Sequence, residues 1–181
     1  MENTSVSDQE DNPVHHYLTT VVTSLRHFGA TIPKGHAYLC VPDYVLQRGQ
    51  VWPTSPTITE VELGALRQLR VWPQQCYANC QQLVTQLPQE LGLQYVEGMA
   101  ICGHRDGNSL PLPLAHAWLL VDGKLYDPTW SLHGDYDVAS SHYFGVQFSS
   151  DEVHAHIAAT EEYSAMIDDW THGYPLLRSS E

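Results

Sequence analysis

The chain has 181 residues, 43% of them hydrophobic, and carries 8 Lys+Arg against 21 Asp+Glu for a net charge of −13. That size is one domain's worth, with enough apolar content for a core. The acidity argues against direct contact with nucleic acid or an anionic membrane, both of which need clustered Lys/Arg, and no apolar run approaches the about 18 residues of a membrane-spanning helix.

Residues 1–11 are polar and acidic and read as a disordered tail. They do not resemble a secretory signal, so a cytoplasmic protein is expected. Cys40, Cys76, Cys80 and Cys102 are then expected as thiols. Asn12-Pro13 predicts a helix start. Val14, Tyr17, Leu18, Val21, Val22, Leu25 and Phe28 recur at helical spacing, with Gly29 where a C-terminal cap belongs. The stretch 31–58 is rich in turn formers and predicts short strands or irregular structure, with His36–Val41 as a candidate strand. Thr59–Leu69 reads as a short helix and Cys76–Leu87 as a strong one, its apolar face including Cys76, Cys80, Leu83, Val84 and Leu87.

Strand patterns follow at Leu93–Cys102, Leu114–Val121 and Lys124–Trp130, with another at Tyr143–Phe148. Asp122-Gly123 joins the second and third as a two-residue hairpin loop, because both central residues of a type I′ turn need positive φ. Ser149 and Glu152 make a capping box that opens a last helix to about Trp170. Helices, then strands, then a helix is an α+β order with an antiparallel sheet. The expected domain is residues 12–181: a helical and irregular part over 12–70, a core over 71–148 and a C-terminal helix over 149–171.

Three stretches carry chemistry: Gln75-Cys76-Tyr77-Ala78-Asn79, Ala115-His116-Ala117-Trp118 and Tyr126-Asp127-Pro128-Thr129-Trp130. Pro73 and the onset of helical spacing put Cys76 in the first turn of its helix, where unpaired N–H groups favour a thiolate and can hold an oxyanion. A buried core cysteine is the bland alternative. In the hairpin, Val121 pairs with Lys124, so paired positions sum to 245. His116 then faces Thr129 and Trp118 faces Asp127, all four on one face. His116 and Asp127 become diagonal neighbours, about 7–8 Å apart at Cα. A one-residue slip would separate them. The expected roles are Cys76 as nucleophile, His116 as general base and acid, and Asp127 as the group orienting His116. The same parity puts Trp130 in the opposite layer.

Cys, an Ala-His-Ala-Trp strand, then Tyr-Asp-Pro-Thr-Trp resembles the transglutaminase-like branch of the papain-like cysteine hydrolases. Tyr95-Val96-Glu97-Gly98 and Tyr143-Phe144-Gly145-Val146 look like parts of a small bacterial and phage subgroup of it. The resemblance covers about residues 70–148, and residues 1–70 have no counterpart. It implies a nucleophile-bearing helix packed on an antiparallel sheet, and a thiol attacking a carbonyl through an acyl-enzyme. Papain-type enzymes place an oxyanion-hole glutamine several residues before the cysteine. Here Gln74 and Gln75 stand two and one residues before it, and either is a candidate for that role.

Asn79 is a candidate for orienting the Cys76 turn or touching substrate, Glu97 for holding a substrate amine or bracing the site, and Trp118 for shielding the His116–Asp127 contact. A zinc site on Cys76 and Cys80 lacks an obvious second ligand pair, and His154 and His156 lie about 200° apart on a helix, so no metal is expected. Nothing in the motifs calls for a cofactor. The reading is a cysteine hydrolase or acyltransferase acting on a peptide-like or other acyl-donor substrate. The alternative is an acidic modulator that binds a basic protein partner, motivated by the charge and by the seven acids among residues 151–181.

Overall fold

The computed structural model describes residues 11–55, 58–107 and 112–179. Five α-helices and a five-stranded antiparallel sheet form a mixed α+β architecture among these residues. The expected tail lies outside them except for Asp11.

Helix α1 (Pro13–His27) starts as its sequence requires. The Asn12 carboxamide oxygen accepts from Val14 N at 2.9 Å and His15 N at 3.2 Å. Its buried stripe is Val14, Leu18 and Val22, while Phe28 is exposed at the C-cap. Helix α2 (Val41–Arg48) takes the place of the irregular structure expected there, and the candidate strand His36–Val41 does not form. His36 makes only an isolated bridge to Arg178. Pro42 sits in the first turn of α2, where its missing N–H costs nothing. Buried Asp43 accepts from Leu39 N and Gln47 Nε2, each at 2.9 Å, and pairs with Arg26 at 2.9 Å, which ties α2 to α1.

Strand β1 (Gln50–Trp52) precedes helix α3 (Glu60–Leu66), whose Thr59/Glu62 capping box fixes its start. Helix α4 (Cys76–Gln86) agrees with expectation to one residue. Strands β2 (Leu93–His104), β3 (Leu114–Val121), β4 (Lys124–Tyr126) and β5 (Tyr136–Phe148) complete the sheet, in the order β1-β5-β2-β3-β4. The hairpin register is the expected one, with Val121 opposite Lys124 and Leu119 opposite Tyr126. Asp122 and Gly123 have φ of +50° and +77°, as a type I′ turn demands.

Three boundaries differ by more than three residues. β4 stops at Tyr126, and the chain turns through Asp127-Pro128 into a 3₁₀ turn at Trp130–Leu132. β5 begins seven residues before the expected Tyr143. Helix α5 (Ser150–Thr160) stops ten residues short of Trp170, with Glu161 as its C-cap in the left-handed region at φ +59°. Residues 161–179 continue as an irregular strap carrying a 3₁₀ turn at Pro175–Leu177.

The sheet has two covered faces. Tyr95, Ile101, Ala117, Leu119, Phe144 and Phe148 join the larger core with Val14, Leu18, Leu83 and Val153 from the helices. Val96, Ala100, Trp118, Leu120 and Tyr143 form a smaller cluster with Trp130 on the other face. Trp118 fits flat against β5 because residue 145 is glycine: a Cβ there would stand 2.6 Å from the indole.

Candidate active site

The short β4 explains how a helix on one side of the sheet meets a histidine on the other. Beyond Tyr126 the edge of β3 has no strand partner, and the N-terminus of α4 reaches that open edge. His116 is 4% exposed and Asp127 is wholly buried. His116 Nε2 donates to Asp127 Oδ2 at 2.6 Å. That leaves Nδ1 as the ring nitrogen facing Cys76, whose half-buried thiol lies close enough to help raise the ring's proton affinity. The structure therefore brings together the three residues that the sequence singles out.

Asp127 is held on both oxygens. Oδ1 accepts from Thr129 N at 3.0 Å and Trp130 N at 2.9 Å. Oδ2 also accepts from Tyr143 Oη at 3.0 Å. Four donors on one buried carboxylate fix its position. Burial pushes the His116 imidazolium to deprotonate, but the Asp127 charge, the Asp127 hydrogen bond and the Cys76 contact outweigh it, and the ring is raised to about 9.

Trp130 covers that ring. Its centroid is 4.1 Å from that of His116 with 12° between the planes, a distance at which a charged imidazole gains from the indole face. This corrects the expected opposite layer: strand parity fails once β4 ends at Tyr126. Trp118 stacks more loosely, at 6.3 Å. It is fully buried, so it shields the pair but offers no surface to a substrate. Tyr143 was expected only as a strand residue and as part of the resembling Tyr143–Val146 stretch, with no role at the site. Its signal was the parity that places it on the His116 face across β2.

Asn79 is a positioning residue. Its Oδ1 accepts from Trp72 N at 2.8 Å, while Nδ2 donates to Trp72 O at 2.7 Å and to Thr129 Oγ1 at 2.9 Å. One buried carboxamide thus joins the approach to Cys76 and the turn after Asp127. Removing it in Asn79→Ala strands these partners, with an expected loss of about 3 kcal/mol. Urea midpoints check the stability, and a slower reaction of Cys76 with iodoacetamide checks the positioning.

Glu97 lies on the other face. It is 2% exposed, and it accepts from Tyr95 Oη at 2.8 Å, Met166 N at 2.8 Å and Ile167 N at 2.9 Å. Its carboxylate is committed to the strap rather than open to a substrate amine, which corrects that expectation. Gln74 and Gln75 are both exposed beside Cys76, and Gln74 has φ +61°. No side chain caps α4, and its first ladder bond is Asn79 N to Gln75 O at 2.8 Å. The N–H groups of Cys76, Tyr77 and Ala78 precede that bond. Cys80 is buried in the larger core.

A cleft of about 710 Å³ opens beside Asp127 and Pro128 and is lined by Arg67, Arg70 and Arg105, three of the chain's eight Lys+Arg. No described helix is long and apolar enough to cross a membrane. No family model matches the chain, and neither the curated proteins nor the solved structures contain a match to it.

Proposed function

We propose that this chain is a cysteine-nucleophile hydrolase or acyltransferase with a papain-like or transglutaminase-like core. The observation that carries the reading is a buried His116 imidazole that is hydrogen-bonded to a buried, four-fold hydrogen-bonded Asp127 and whose proton affinity is raised in part by the neighbouring Cys76 sulfur. A buried imidazole held in its charged form beside a sulfur at a helix start is what a thiol nucleophile requires.

The Cys76 sulfur attacks the carbonyl carbon of an amide, thioester or ester, and the carbonyl π electrons move to oxygen. The Cys76 N–H at the start of α4 is positioned to donate to that oxyanion, with the Gln74 or Gln75 side chain as a second donor. The His116 proton passes to the leaving amine, thiol or alcohol as its bond to carbon breaks. A thioester then joins the acyl group to Cys76. Water, or an acceptor amine, gives a proton to His116 as it attacks that thioester. The sulfur leaves and the free enzyme returns. Asp127 holds the imidazole in place throughout.

Iodoacetamide labelling of the native protein, mapped by mass spectrometry, tests the nucleophile. Cys40 serves as the internal standard, because it is also half-buried and burial pushes its thiol up. Cys76 is expected to react at least about tenfold faster than Cys40 at neutral pH, and His116→Ala is expected to erase the difference. Equal rates at Cys40 and Cys76 overturn the reading. Burst acylation by p-nitrophenyl acetate, lost in Cys76→Ala, is the second readout.

A further inference from the structure

The cleft of about 710 Å³ beside Asp127 and Pro128 takes no part in the chemistry proposed above, for neither Cys76 nor His116 lines it. Two stretches of chain form it. Helix α3 and the segment after it supply Leu63, Leu66 and Val71, and the chain from β4 into β5 supplies Leu125, Leu132 and Val138. The Glu62–Lys124 ion pair, at 3.0 Å, ties the two stretches together. Leu66 and Leu125 are buried, whereas Leu132 is exposed, so apolar surface runs from the floor of the cleft to its mouth.

Arg67, Arg70 and Arg105 also line this cleft, and all three are exposed. The lining therefore reverses the sign of the molecule. It gathers three of the eight Lys+Arg of a chain whose net charge is −13, against two carboxylates, Asp127 and Asp137. Asp127 is wholly buried and committed to its four donors, and Asp137 Oδ1 accepts from Ala139 N at 3.2 Å. The guanidinium groups are weakly engaged. Arg67 meets Glu60 at 3.5 Å, with the two side chains 64% and 82% exposed, a contact of little strength. Burial pushes the Tyr126 phenol up, and the Arg67 charge works the other way, which places Arg67 near a residue of the cleft wall. Arg105 Nε donates to Tyr136 O at 3.4 Å, and Tyr136 is part of the same lining. Arg70 Cζ lies 3.6 Å over the Trp72 ring, which covers one face of the guanidinium and leaves its N–H edge to other partners. Neither Arg70 nor Arg105 has an ion-pair partner among the described residues.

We propose that this cleft binds a small amphipathic carboxylate, an organic acid whose alkyl or aryl body lies on the Leu63, Leu66 and Leu125 surface and whose carboxylate is held by the exposed arginines of the lining. The size is that of a small-ligand site. The sign follows from the three guanidinium groups, whose planar N–H forks match a carboxylate and which stand in water, where a ligand can reach them. The rest of so acidic a chain repels an anion, so the attraction is confined to this lining. The apolar surface selects an acid with a hydrocarbon body over a bare inorganic anion. The site stands apart from the thiol chemistry and holds whether or not Cys76 is a nucleophile.

The test titrates the full chain with 4-phenylbutanoate and, separately, with 4-phenylbutan-1-ol, following the methyl resonances of Leu63, Leu125 and Val138. The acid is expected to shift these methyls saturably and, at low salt, to bind about tenfold more tightly than the alcohol, the range of a few partly screened charge pairs. That preference should fade as salt approaches about 1 M. Arg67→Gln and Arg105→Gln change exposed side chains and should each weaken the preference, and together they should erase it. Lys34→Gln removes one positive charge outside the lining and should leave it intact. Cys76→Ala should bind the acid as the native chain does. Equal affinity for acid and alcohol overturns the proposal and identifies an apolar groove only. A preference that survives the double arginine variant, or that Lys34→Gln weakens as much as Arg67→Gln does, overturns it too, as does the absence of any saturable shift at the three methyls. Loss of binding in Cys76→Ala would move the ligand to the thiol and overturn the separate site.

Discussion

Asp127→Asn should lower turnover of an ester probe by roughly 10⁴-fold, the drop seen when the carboxylate of a nucleophile–histidine–carboxylate triad is replaced by its amide. The reason lies in the four donors. Thr129 N and Trp130 N are backbone groups and cannot reverse, so the new carboxamide must turn its oxygen toward them. Its NH₂ then faces His116 Nε2 and the Tyr143 hydroxyl. The hydroxyl can rotate and accept. The imidazole can accept only by moving its proton to Nδ1, the nitrogen that serves Cys76, and a base with its working nitrogen already protonated cannot take the thiol proton. Tyr143→Phe is the control. It removes one donor, leaves the tautomer alone, and should cost about 10–100-fold, since a hydrogen bond to a charged group contributes about 1.5–3 kcal/mol. Steady-state kinetics with p-nitrophenyl acetate read both variants. An Asp127→Asn protein as fast as Tyr143→Phe would mean that the carboxylate plays no part in orienting the ring.

The pairing of His116 with Asp127 was legible because one dipeptide sets it. Asp122-Gly123 selects a two-residue loop, and the loop fixes the register as far as Tyr126, which delivers Asp127 near His116 although the expected pairings of Trp118 with Asp127 and His116 with Thr129 lie outside the ladder. The position of Cys76 was legible because helical spacing starts there. The end of β4 was not. Nothing in Asp127-Pro128-Thr129 states that the Asp127 carboxylate will take its own backbone two and three residues on and so bend the chain out of the sheet. That bend puts Trp130 on the histidine. Helix α2 was missed because Pro42 was read as a turn former, although a proline followed by Asp43 is also how a helix begins. The early end of α5 depends on Glu97, which takes Met166 N and Ile167 N from a strap some seventy residues away. A contact of that range leaves no local signature, whereas the apolar spacing that continues to Trp170 does.

Glu97 and His116 together predict an unusual pH profile: stability should fall as pH rises from about 5 to 9. Burial pushes the Glu97 carboxyl up to about 7 against the pull of its three donors, from an ordinary value near 4.5. The native state therefore holds that proton more tightly than the unfolded chain does. Its contribution is complete below about pH 4.5 and is lost as pH rises through 7. His116 behaves alike in a higher window. Burial lowers its affinity for the proton, Asp127 and Cys76 more than restore it, and the contribution is complete below about 6.5 and lost on approach to 9. Each span of about two and a half pH units corresponds to about 3 kcal/mol, taken as an order of magnitude. Thermal midpoints measured from pH 4.5 to 9.5 should decline in two overlapping steps. Glu97→Gln removes the lower step. It also costs about 1–3 kcal/mol at every pH, because an amide nitrogen in place of a carboxylate oxygen cannot accept from Met166 N or Ile167 N. His116→Ala removes the upper step and leaves the lower one. A midpoint that is flat or rising between pH 5 and 9 would show that neither proton is held more tightly by the fold, and with it would go the charged imidazole on which the nucleophile depends.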